Sequence, residues 1–369
     1  MRAAAIVIAL AVGCGACSTT APEQRTPLQY DPALLSGAAL FGRPIPPSRA
    51  PAHDILGADA AMHAFVGDIV DKRLAVVRFN RLLDKLADSD FFTNTYDANV
   101  TLTASETFHR KIGNCMSYSN LFVALARLAG LEVRFQIVPQ LYPTWNAEDG
   151  VLIRNNHINL SVRGQRFDRN RANGYTIDFN LVEPDPDSQV QPISDAYAAS
   201  LFYANLSVTA LMEADVELSF AYLKRAFAAE PRNPDLWINL GALYNRFGEH
   251  RLAIDSLLVA QQIAPRDRTI VSALERSYRV VGEIEVADRL AVKVRRHRNA
   301  NPYYHFAMAQ QAAQRGDHDA SKAAIEAALR LKKDEPRFHH LQSLLYRRTG
   351  ETKLADASLR RARKQGWRG

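Results

Sequence analysis

Three cysteines in 369 residues are too few for a disulfide-stapled scaffold. No Cys or His pair has the spacing of a metal site, and His339 and His340 are simply adjacent in a helical run, so no metal is expected. No glycine-rich loop of the phosphate-binding kind is present. No cofactor is expected either. No apolar run is long enough to span a bilayer. Charge of one sign is also scarce: the net charge is only +7. The excess is uneven, +9 from residue 201 onward against −2 before it. Spread along amphipathic helices, such charge reads as solvated faces. The basic runs "VRRHR" (294–298) and "RRARK" (360–364) lack interleaved aromatics, and no nucleic-acid partner is expected. What is present is a globular composition, 47% hydrophobic, in a chain long enough for two domains.

The first residues read as a targeting segment. Arg2 supplies a short positive region, and "AAAIVIALAV" (3–12) is an apolar stretch of signal-peptide length. "GCGACSTT" follows, with small residues before both Cys14 and Cys17. This pattern resembles a bacterial lipobox. The resemblance implies lipidation, with Cys17 preferred over Cys14, and an anchor on the outer face of a membrane. Ser18 after the cysteine implies the outer membrane, with the protein facing the periplasm. Residues 1–17 thus read as signal peptide and lipobox, and cleavage at Cys17 would leave Cys115 as the one unlipidated thiol, in an oxidising compartment.

Residues 18–53 are rich in Pro, Ala, Ser and Thr and predict a flexible tether. Residues 54–195 then read as an α+β domain. Apolar spacing predicts helices up to about Phe92, a short helix over 99–112, and a helix over 116–129 that ends at Gly130. "LEVRFQIV" (131–138), "HINLSV" (157–162) and "GYTIDFNL" (174–181) alternate as strands of an antiparallel sheet. "EPDPDSQVQP" (183–192) marks the boundary after it.

A repeat follows. Gly248, Gly282, Gly316 and Gly350 stand 34 residues apart each time. Around Gly248 come Trp237, Leu240, Gly241, Tyr244, Ala253, Leu257, Ala260 and Pro265. This pattern resembles the tetratricopeptide repeat. The small residues at 241 and 253 let two helices approach closely, and stacking of units supplies the core. About five repeats over 200–366 predict an all-α solenoid with a concave face for a peptide or protein partner.

The chemistry centres on "KIGNCMSYSNLFVALARLAG" (111–130). A cysteine at a helix N-terminus is helped to ionise by unpaired N–H groups and the helix dipole. Such a nucleophile needs a base, and the base an orienting group. His157 opens one strand and Asp178 sits on the next, with Asp168 as a rival orienter and His109 as a weaker candidate base. "GNCMSYSNLFVALARLAGLEVRFQIV", "NNHINLSV" and "GYTIDFNLVEP" together resemble the transglutaminase-like domain, of papain-like fold. The resemblance implies Cys115 as nucleophile, His157 as base and Asp178 as orienter. Two positions depart from the family pattern: Ile158 and Asn159 stand where an aromatic often follows the His, and Phe179 where Pro often follows the Asp.

These readings combine into a membrane-anchored cysteine enzyme that acts by acyl transfer on a protein or peptide amide, with hydrolysis slightly favoured over cross-linking. The repeats are expected to hold substrate or a partner protein. The alternative is a catalytically inert envelope scaffold assembled through the repeats.

Overall fold

The computed structural model describes residues 8–9, 27–72, 74–91, 96–138, 157–163, 175–179 and 190–367. Cys14, Cys17, Asp168 and the Asn155–Asn156 pair lie outside them. The chain divides into two compact units, one running to Pro265 and the other from Arg266 to the C-terminus.

In the first unit a two-residue strand, β1 (Ile8–Ala9), edges the sheet. The segment from Pro27 to His53 differs from the tether its composition predicts. Its prolines begin helical turns at Pro32–Leu35 and Pro47–Arg49, where a missing N–H costs nothing, and α1 (Ala38–Phe41) lies between. Leu34, Ile45 and Ala50 are fully buried. Its carbonyls are met by side chains of the repeat helices. The Tyr244 hydroxyl donates to Leu34 O at 2.8 Å, and Arg225 Nε to Ala50 O at 2.8 Å. Arg43 pairs with Glu217 at 2.8 Å, Arg49 with Asp215 at 2.7 Å, and the Tyr30 ring packs on Trp237 at 4.8 Å. Richness in Pro, Ala, Ser and Thr could not show this, because the apolar surface being covered belongs to distant helices.

Helices α2 (Ala60–Val70), α3 (Ala75–Asp88) and α4 (Ala104–Arg110) lead to α5 (Cys115–Leu128). Every residue of α5 from Met116 to Ala126 is buried. It is the central helix of its domain, packed on α2, α3 and α4 and on one face of the sheet. That sheet has β2 (Glu132–Val138), β3 (His157–Arg163), β4 (Tyr175–Ile177) and β5 (Gln191–Pro192), in the order β1-β4-β3-β2-β5 with all pairs antiparallel. Val133, Phe135 and Ile137 on β2, with Ile158, Leu160 and Val162 on β3, are buried. Alternation puts each set on one face of its strand, and register pairs Phe135 with Leu160.

Ten helices then form five hairpins. Two belong to the first unit: α6 (Asp195–Met212) with α7 (Val216–Ala229), and α8 (Pro234–Arg246) with α9 (His250–Ile263). The sequence boundary at 195–200 is therefore not a boundary of compactness. Arg127 of α5 grips Asp195 at the start of α6 with two hydrogen bonds of 2.6 and 2.8 Å, and the Tyr203 hydroxyl accepts from His53 N at 3.0 Å. The second unit holds α10 (Arg268–Val280) with α11 (Ile284–Asn299), α12 (Pro302–Gln314) with α13 (His318–Leu331), and α14 (Pro336–Arg348) with α15 (Thr352–Lys364). Its core joins Tyr303, Ala309, Ile325, Ala328, Phe338 and Leu345.

One turn closes all five hairpins. Gly248, Gly282, Gly316 and Gly350 have φ between 78° and 82°, in the left-handed region. In each case the next N–H reaches back to a carbonyl five residues earlier, as Glu249 N does to Tyr244 O at 2.9 Å. The first hairpin makes the same bond, Asp215 N to Ala210 O at 2.9 Å, with Ala214 at φ 64° in place of glycine. The close approach expected at Gly241 is present: a Cβ there would lie 3.1 Å from Leu257 Cγ and 3.2 Å from Ala253 O.

Candidate active site around Cys115

Cys115 is the first residue of α5 and carries a free, half-buried thiol. The residues just before it are fixed by hydrogen bonds. Asn114 is the N-cap: its Oδ1 accepts from Ser117 N at 3.0 Å, and its Nδ2 donates to Thr101 Oγ1 at 2.7 Å. Ser117, fully buried, accepts from Leu102 N at 2.8 Å and donates from Oγ to Val100 O at 3.1 Å. Gly113 has φ 156°, and a Cβ on it would stand 2.4 Å from Ser117 Cβ. The Gly-Asn pair is therefore local architecture: glycine because nothing larger fits, asparagine because the helix needs a cap.

These bonds lay the strand-like segment 96–102 along the start of α5. Tyr96 bridges in parallel to Gly113, Asp97 N donates to Gly113 O at 3.1 Å, and Asn114 N donates to Val100 O at 2.9 Å. The consequence is the position of Tyr96. Its hydroxyl lies within interaction range of the Cys115 backbone N–H and thiol. Burial of this hydroxyl, with the charges that Cys115 and Asp178 can carry, pushes the phenol up to about 12. The residue as a whole is 44% exposed. Tyr96 is thus a protonated donor at neutral pH. No motif marks it in the sequence, since it stands in a loop and meets the cysteine only through the fold.

Asp178 directly follows β4 and is buried, 6% exposed. Its carboxylate lies in electrostatic reach of the Tyr96 hydroxyl. Its neighbour Phe179 explains one departure from the family pattern. That ring packs on Tyr118 at 5.9 Å and Phe122 at 6.1 Å, tying the end of β4 to the first turns of α5. His157 opens β3, and β3 runs antiparallel to β4 with Leu160 opposite Ile177. Register carries Asp178 to the level of Asn159, one diagonal step from His157 along the sheet. The His157 side chain lies outside the described residues. His109 is engaged elsewhere: its Nε2 pairs with Asp59 Oδ2 at 2.7 Å. The Ser105 hydroxyl, the Met62 N–H and His109 hold the Asp59 carboxyl well below the usual carboxylate range. Among the described residues no cluster of three or more His, Cys, Asp or Glu is arranged to hold a metal.

Comparison with known proteins agrees with the geometry over part of the chain. No curated protein sequence matches it. Solved structures of MamA overlap at low similarity. One, a crystal structure of MamA protein, has 17% identity, covers 45% of this chain and 91% of its own, and gives a TM-score of 0.26. Another, MamA 41-end from Desulfovibrio magneticus RS-1, has 15% identity, covers 47% and 96%, and gives 0.27. Residues 71–162 match the model of the transglutaminase-like superfamily, a span that includes Cys115 and His157 and stops before Asp178. Between α2 and β3, then, this chain carries a transglutaminase-like domain.

Proposed function

We propose that this domain is a cysteine enzyme of acyl transfer acting on an amide of a protein or peptide. The observation that carries the reading is the free, half-buried Cys115 thiol at the head of a buried helix, with the Tyr96 hydroxyl in interaction range of it and Asp178 in electrostatic reach of that hydroxyl. In this reading His157, oriented by Asp178, takes the proton from Cys115. The sulfur adds to the carbonyl carbon, and the oxyanion that forms is met by the Cys115 backbone N–H and the Tyr96 O–H. The adduct collapses to a thioester as His157 returns its proton to the leaving amine. Water, or a second amine, then adds to the thioester with His157 as base. Collapse expels the Cys115 sulfur, which regains the proton. Hydrolysis is the favoured outcome. The helical hairpins bind a protein, and a lipid on Cys17 holds the chain at the outer membrane, facing the periplasm.

The test is the rate of iodoacetamide alkylation at Cys115 near neutral pH, read by mass spectrometry. His157→Ala and Asp178→Ala should each slow it about tenfold or more. Equal rates in all three proteins would sink the enzyme reading and favour an inert scaffold.

A further inference from the structure

The hairpins of the first unit do not offer their surface freely, since the segment from Pro27 to His53 already lies on α6 to α9. The second unit has an uncovered cleft of about 550 Å³ between α13, α14 and α15. Arg330, Lys333 and Arg361 converge on it, with Glu326 as its one acidic residue. Some basic side chains of this unit are paired: Arg279 with Glu275 and Asp288, Lys322 with Glu351, Arg337 with Glu335, Arg347 with Asp356. The side chains of Arg330, Lys333 and Arg361 have no such partner among the described residues. Three like charges facing one cleft, one of them opposed, leave it short of negative charge.

The floor of the cleft adds direction. His339 is 6% exposed, and its Nε2–H donates to Lys333 O at 2.9 Å. That bond places a proton on Nε2 and leaves Nδ1 buried and without a partner. An unmet buried acceptor is costly and rare. One helical turn on, Gln342 uses Oε1 to accept from Ser358 Oγ at 2.9 Å, so what remains is its NH2 donor. An acceptor and a donor three residues apart on one helix face match the N–H and C=O of a peptide backbone. A phosphodiester has no N–H for His339. Leu329 supplies an apolar patch beside them.

We propose that this cleft binds an acidic peptide segment of a protein partner, its Asp or Glu carboxylates taken by Arg330, Lys333 and Arg361, its backbone by His339 and Gln342. The proposal rests on the reading that the hairpins bind protein and names the chemistry they select. The test uses the full chain carrying Cys115→Ala, so that binding is not confounded by turnover. The probes are a fluorescein-labelled, end-capped peptide of alternating Glu and Leu, its Gln-for-Glu counterpart, and vesicles of anionic phospholipid. We expect the acidic peptide to bind at least tenfold more tightly than the Gln peptide, with affinity falling as salt rises. The double variant Lys333→Gln/Arg361→Gln changes only exposed side chains and should erase that tenfold preference. Equal binding of both peptides, or a preference that survives the double variant, would overturn the cleft while leaving the hairpins as protein binders. Binding to vesicles alone would overturn both readings in favour of a lipid surface.

Discussion

Two kinds of glycine hold this molecule in shape, and they do so by opposite means. Gly113, at the head of the cysteine helix, is crowded: Ser117 fills the space where a side chain would go. The hairpin glycines at 248, 282, 316 and 350 are open, with nothing within 4 Å of an added Cβ. The first is required by packing, the others by backbone conformation alone. The Cys115 region is thus specified by unique contacts and the helical region by a repeated local rule. The first should fail abruptly on substitution, the second by small, equal steps.

The largest effect is expected at Gly113. Gly113→Ala drives a methyl into Ser117, which itself holds Val100 and Leu102, and should cost about 3 kcal/mol in overpacking. Urea unfolding would show the loss, and Cys115 alkylation should fall with it because the cap at Asn114 shifts. A cost under about 1 kcal/mol would mean that the start of α5 is looser than the contacts imply.

Next comes Tyr96, the residue these contacts bring to Cys115. Tyr96→Phe removes the hydroxyl beside the cysteine while keeping the half-exposed ring. Cys115 alkylation should change about tenfold, the worth of one hydrogen bond to a charged group. Because the phenol titrates only near 12, it keeps its proton between about pH 6 and 9, and what the variant loses there is a neutral hydroxyl. Unchanged alkylation in Tyr96→Phe would mean that the hydroxyl does not act on the cysteine.

A smaller and more uniform step is expected in the hairpins. Gly248→Ala and Gly282→Ala each place a methyl in empty space at φ 82°, so each should cost only the conformational term, about 1 kcal/mol. Unequal losses at the two positions would show that the turns are not independent copies of one rule.

The same contrast governs what could be read from sequence. The 34-residue glycine spacing was legible because a left-handed turn leaves its mark on residue type. The helix from Cys115 was legible through its apolar spacing and the Gly130 stop, and β2 and β3 through alternation. Tyr96 was not legible, because its role comes from a bridge to Gly113 that no local pattern encodes. The packing of Leu34, Ile45 and Ala50 was hidden for a related reason: their partners, Tyr244 and Arg225 among them, lie some 175 to 210 residues away. Phe179 looked like a mere departure from a family pattern until its ring was placed on Tyr118 and Phe122.

Ala214 offers the finest test of the local rule. It occupies the turn position of the first hairpin, 34 residues before Gly248, and makes the same closing bond, yet it must hold φ 64° with a Cβ. Its strain should be about 1 kcal/mol, partly offset in a glycine variant by the greater freedom of the unfolded chain. Ala214→Gly should therefore stabilise the protein by about 0.5 kcal/mol, read as a small upward shift in the urea midpoint with an unchanged slope. The sign matters more than the size. A gain at 214 beside losses at 248 and 282 would show one backbone rule acting through all three turns. A loss at 214 would mean that the Ala methyl makes contacts of its own, and that the first hairpin, like the Cys115 helix, is held by packing.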